Sequence, residues 1–175
     1  MSDATYDRAT IAFHWTTAAL VVALWILGQT ADWVPRGPAR GVVWSTHFTL
    51  GLLLALVWIG RLVWRVSGGR RLPGVGPAYV VKLSAAVHGL LYLIIAFVIA
   101  VGVANLYAHG QNIWGLASFP KIDDAATRRT ISETHEWAAN ILLAVAAGHA
   151  AVALLHQFAL RDGVLARMWP SLARR

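Results

Sequence analysis

Seven histidines are spread through a 175-residue chain that has no cysteine. Six of them, His14, His47, His88, His135, His149 and His156, lie in or at the edge of long apolar runs. An ionisable ring is costly in such surroundings and marks an ion, proton or cofactor site. Neutral imidazoles bind metals, so the row of histidines asks for a metal. Without cysteine there is no disulfide, no thiolate-held iron–sulfur cluster and no covalent haem attachment. Met1 and Met168, the two methionines, lie near the chain ends, which leaves histidine as the ligand.

The elements that must position these rings follow from composition. With 58% hydrophobic residues, 13% charged residues and nine tryptophans, the chain is too apolar for a soluble domain of its length. Four runs, 11–28, 42–60, 83–104 and 137–160, are each near the roughly 20 helical residues that cross a hydrocarbon core of about 30 Å. The expectation is one all-α membrane domain over 1–175, with the first run kept as a mature span because no small-residue cleavage site follows it. Arg8, Arg61, Arg65, Arg70, Arg71, Lys82, Arg161, Arg167, Arg174 and Arg175 fall on one side, and Arg36, Arg40, Lys121, Arg128 and Arg129 on the other. Ten against five predicts cytoplasmic termini. The net charge of +7 is then a topology and anionic-lipid signal, and no nucleic-acid partner is expected.

Helical spacing selects which histidines cooperate. His135 and His149 are 14 residues apart, about 21 Å along one helix and about 40° short of whole turns, so both face one seam. His135, expected at the outer end of its helix, matches His47 in depth, and His14 approaches His149. Each pair draws on two helices facing a shared interior, as bundles do when they hold a cofactor. Ala144, Ala146, Ala147, Gly148, Ala150, Ala151 and Ala153 strip bulk around His149, and Gly51 lies one turn below His47. A macrocycle needs that room; the alternative is that small residues let helices approach closely.

The motifs are specific. Phe13-His14-Trp15 opens the first span, Thr46-His47-x-x-x-Gly51 the second, and Arg61-Leu-Val-Trp-Arg65 closes it. His88-x-x-x-Tyr92 marks the third. His135-Glu-Trp-Ala-Ala-Asn140, His149 and His156 mark the fourth, followed by Arg161-Asp-Gly-Val-Leu-Ala-Arg-Met-Trp-Pro170. In these the chain resembles the bacterial four-helix cytochrome b561 family nearly end to end. The resemblance implies an integral membrane four-helix bundle of the bacterial inner membrane, with two haem b groups stacked between the helices. It implies His14, His47, His135 and His149 as axial ligands, His14 with His149 on the inner iron and His47 with His135 on the outer. It also implies exchange of electrons between a quinone, ubiquinone among them, and a second partner. Two departures stand out: Ile99 replaces an expected proline, predicting a straighter third helix, and Gln157 replaces a second consecutive histidine.

Other residues carry paired readings. Arg61 and Arg65 either clamp haem propionates or snorkel to lipid phosphates. His156 either meets a quinone head group or is an interfacial ring, and Lys82 is a quinone contact or an interface anchor. His88 contacts the inner haem or a quinone, replaces a ligand, or bonds a backbone carbonyl. His109 reads as a solvated loop residue. Trp33, Trp44, Trp64, Trp114, Trp137 and Trp169 read as an interfacial belt, and Trp15 packs on the His14 haem or faces lipid. Two functions compete: an oxidoreductase that passes an electron from superoxide to quinone, with Arg36, Arg40, Lys121, Arg128 and Arg129 set against Asp32, Asp123, Asp124, Glu133 and Glu136 at the outer mouth, and a relay between the quinone pool and a separate periplasmic or dehydrogenase partner docked on the 105–134 connector. A metal or proton transporter is a third reading, which the absence of intramembrane carboxylates disfavours.

Overall fold

The computed structural model describes residues 5–119 and 121–174; Met1 and Arg175 lie outside them. Four long helices alternate in direction: α1 (Arg8–Thr30), α2 (Pro38–Ser67), α3 (Ala78–Ala108) and α4 (Ala125–Leu155). Each is long and apolar enough to cross a membrane. The 68–77 connector and the tail after α4 share one end with residues 5–7, called here the terminal end. The opposite loop end holds a 3-10 turn, Ala31–Trp33, and a small hairpin of β1 (Asn112–Ile113) and β2 (Ala117–Ser118).

The helices outrun the apolar runs because polar caps, which hydropathy does not see, start and stop them. Asp124 accepts hydrogen bonds from the Ala126 and Thr127 amides at the start of α4, and bonds led by the Thr127 hydroxyl hold its carboxyl below the usual range. An Arg129–Glu133 ion pair spans the next turn. α4 therefore begins well before the apolar run, and the expected 30-residue connector at 105–134 shrinks to 109–124. His135 accordingly lies turns inside its helix rather than at its outer end. α2 opens with Pro38 at its first position and stops at the Gly68-Gly69 pair. α3 runs unbroken through Ile99, as the missing proline predicts.

α1 packs along α2 and α3 along α4, while the two hairpins meet sparsely. Where they do meet, Leu20, Val21, Leu24, Leu54, Ile95, Val98, Ala138 and Leu142 form a small mid-depth core. Leu52, Leu56 and Leu93 point outward instead, as lipid-facing side chains do where the surrounding medium is itself apolar. Trp25 donates to Asn140 Oδ1 at 2.8 Å, linking α1 to α4 across the seam.

Candidate functional site

Both histidine pairs expected from depth form across the seam between the two hairpins. At the loop end, His47 on α2 and His135 on α4 have ring centroids 6.2 Å apart at 77°. A first-row metal takes an imidazole nitrogen at about 2 Å, and that nitrogen stands about 1 Å from its ring centre. Two imidazoles trans on one iron therefore have centroids about 6 Å apart. Nδ1 of each ring is buried and makes no hydrogen bond, although the Leu24 and Val98 carbonyls lie beside them, where acceptors that orient a metal-binding imidazole are found.

Glycines on the neighbouring helices back these rings. A Cβ at Gly102 of α3 would stand 2.9 Å from His135 Cε1, and one at Gly28 of α1 3.6 Å from His47 Cε1. Trp44 and Phe48 flank His47 at 5.7 and 6.0 Å between centroids. One turn toward the loop end, Trp44, Phe48, Asn105, His109, Gln111 and Ser132 line a cavity of about 90 Å³. His109 is thus no solvated loop residue: it ends α3, pairs in a bridge with Lys121 and is half-buried.

The terminal-end site is richer. His14 on α1 and His149 on α4 lie 6.4 Å apart at 69°, again the spacing for two rings trans on one metal. His88 of α3 lies 5.0 Å from His149, too close for that arrangement, and its Nδ1 donates to the Ser84 carbonyl at 2.6 Å. Arg61 Nη2 stands 3.4 Å from His14 Nδ1. The guanidinium carbons of Arg61 and Arg65 lie 5.1 and 5.8 Å from the centre of the Tyr92 ring, which they share as a cation–π partner. Both arginines thus turn toward the bundle. Trp15 packs edge-on to His14 at 5.2 Å, and its indole donates to the Met168 carbonyl.

The remaining candidates lie apart from the pairs. His156 begins a π-helical turn after α4 and meets Asp162; Lys82 is exposed near the start of α3. Two of the five outer cations are in ion pairs, Arg40 with Asp32 and Arg129 with Glu133, and Arg128 bonds the Ile122 and Asp123 carbonyls. Trp64 and Trp114 are not simply belt residues, since they donate to Asp7 and Thr49. The small residues near His149 are not confined to the seam: Ala144, Ala147, Gly148, Ala150 and Ala151 are exposed. Among the described residues no three His, Asp or Glu converge as a metal-ion cage.

Sequence reasoning overlooked Gly102, Gly28 and Asp162. A glycine inside an apolar helix carries no signal of which ring it faces, whereas Asp162 was visible as the acid following a histidine-bearing span.

A family model described as prokaryotic cytochrome b561 matches residues 5–171. A cytochrome b562 of Cereibacter sphaeroides is 33% identical over 93% of this chain and 94% of its own length. Cytochrome b561 homolog 1 of Escherichia coli is 27% identical over 94% and 97%. A probable superoxide oxidase, CybB, of Yersinia pestis is 28% identical over 94% and 96%.

Proposed function

The chain belongs to the prokaryotic cytochrome b561 family, and from that membership we propose that it moves electrons between a loop-end donor and quinone through two b-type haems, His47 with His135 on one and His14 with His149 on the other. As a member it is a membrane-embedded b-type cytochrome of electron transport, multi-pass in the bacterial plasma membrane. The observation that carries the two-haem reading is the pair of centroid separations, 6.2 and 6.4 Å, across one seam at two depths.

Bound haems would supply one-electron oxidation and reduction; the residues do the rest. His47 and His135 would hold one iron in a site walled by Trp44 and Phe48. Arg61 and Arg65 set two positive charges beside the terminal-end pair, suited to carboxylates such as haem propionates. The aliphatic core between the two levels excludes water from the path between them. The excess of Lys and Arg at the terminal end supports a cytoplasmic terminal end and a periplasmic loop end.

Superoxide is the donor we favour. The cavity of about 90 Å³ bounded by Trp44 and Phe48, the two rings that flank His47, has room for a small species such as superoxide. With Arg40 and Arg129 already paired, capture rests on this cavity and not on a charged funnel. Purified protein should hold two haems per chain by pyridine haemochrome assay, and H47A or H149A should each hold one. Retention of both haems by either variant refutes its ligand assignment, and colourless, folded protein refutes the whole reading. A superoxide pulse with ubiquinone present should reduce the quinone catalytically; reaction with quinol but none with the pulse would replace the oxidase with a relay.

A further inference from the structure

Among the described residues, His156 is the one histidine in contact with a carboxylate, its Nδ1 standing 2.5 Å from Asp162 Oδ2. The backbone builds this contact deliberately. α4 widens into one π-helical turn, His156–Leu160, and Arg161 then adopts a left-handed conformation, φ 52°, which reverses the chain. Such a conformation at a non-glycine residue persists where the surroundings over-determine it. The reversal brings Asp162 back onto His156: its amide donates to the His156 carbonyl at 3.4 Å. Gly163, φ 74°, completes the turn, and the Val164 amide donates to Asp162 Oδ1 at 3.2 Å. Each carboxylate oxygen thus has a separate task, one fixing the turn and the other facing the imidazole.

The side chains of His156 and Asp162 are 16% and 23% exposed. An ionised carboxylate is an acceptor only, so the proton shared with it belongs to Nδ1 and the reactive ring nitrogen is Nε2. The dyad stands about 10 Å beyond His149, seven residues along the same helix, at the end assigned above to quinone. The next residue, Gln157, buries its Oε1 with no hydrogen-bond partner.

We infer that Asp162 is a positioning residue that holds His156 with its proton on Nδ1, so that Nε2 exchanges a proton with a quinone at the terminal end. The inference rests on the quinone reading above. A quinone leaving as quinol takes up two electrons and two protons. The electrons come from two oxidations of a one-electron donor at the loop end. For one proton, the Nε2–H bond of doubly protonated His156 breaks as an O–H bond forms on a quinone oxygen. The neutral ring keeps its Nδ1 proton against Asp162 and is reprotonated at Nε2 from terminal-end water. The second oxygen takes its proton from the same water.

The test compares wild type, D162A and D162N as full-length holoprotein. Chemically reduced protein is mixed with a short-chain ubiquinone while haem oxidation is followed, and the His156 tautomer is read from ¹⁵N shifts of histidine-labelled samples. General acid–base catalysis contributes about 100-fold or more, and partial loss through misorientation should lower the limiting rate of D162A about tenfold, with the half-saturating quinone concentration within about twofold. Its tautomer should move from Nδ1–H to Nε2–H. D162N keeps an acceptor for Nδ1–H without the charge, so it should keep the wild-type tautomer and an intermediate rate. A wild-type limiting rate in D162A, or Nε2–H in wild type, overturns the inference while leaving the quinone reading intact. Wild-type haems that quinone does not oxidise overturn that reading, and the inference with it.

Discussion

The two histidine levels share one spacing and differ in nearly everything else. At the loop end, His47 and His135 sit among glycine, aromatic rings and aliphatic backbone, with Nδ1 of both rings buried and unbonded. At the terminal end, His14 and His149 are joined by His88, Arg61, Arg65 and Tyr92, and beyond them by His156 and Asp162. At either depth the two imidazoles come from facing helices at nearly the same separation. The terminal end sets the Arg61 guanidinium beside its pair and adds the His156–Asp162 contact beyond it, groups suited to balancing reduction of an organic acceptor with protons. On the proposed reading, one end would handle electrons and the other electrons with protons.

The sharpest way to break that comparison is to disturb one level alone. In G102A the new methyl would stand 2.9 Å from His135 Cε1, closer than packed atoms tolerate, so the ring must leave its partner. The loop-end haem should fall to half occupancy or less while the terminal-end haem stays. G41A, whose Cβ meets nothing within 4 Å, should keep both. Equal loss at both levels in G102A would show that the two are not independent.

A smaller effect should separate the levels by potential. A cation beside an iron favours its reduced state, so removing one lowers the midpoint potential. R61Q takes away the guanidinium 3.4 Å from His14 and should lower the terminal-end potential by about 60 mV, which is tenfold for one electron. The loop-end potential should stay within about 10 mV. Redox titration followed at the two haem bands measures both, and a shift confined to the loop end would reverse the assignment of Arg61.

Much of this was legible in the sequence. The four spans, the four paired histidines and the depth match of His47 with His135 follow from apolar length and the 3.6-residue turn. Helix ends were not legible, because Asp124 and the polar turns that follow it extend α4 where hydropathy falls. Nor was the division of labour. Arg61 and Arg65 read equally as lipid anchors until Tyr92 and His14 appeared beside them, since facing residues on different helices leave no periodic trace. The pairing of His156 with Asp162 depends on a π-helical turn and a left-handed Arg161, irregularities that no repeat announces.

The smallest effect tests whether the terminal end is also held as a unit outside the haem region. Asp7 caps α1 through the Thr10 amide and hydroxyl, and accepts from the Trp64 indole and the Arg70 amide, tying α1 to the end of α2 and its connector. Desolvation raises its carboxyl, but these bonds outweigh it and hold the group well below the ordinary carboxylate value. A carboxyl depressed in the fold stabilises it fully above the unfolded value of about 4 and loses that contribution as pH falls through the lower folded one. Loss of an N-cap costs about 1 kcal/mol, so D7A should unfold about 2–4 °C below wild type at pH 7, with its haem content unchanged. The gap should narrow steadily as the pH is taken below about 4. A gap that holds constant down to pH 2 would mean that Asp7 acts through packing and not through its charge, and would leave the terminal end joined by the Trp15 and Tyr6 contacts to the tail.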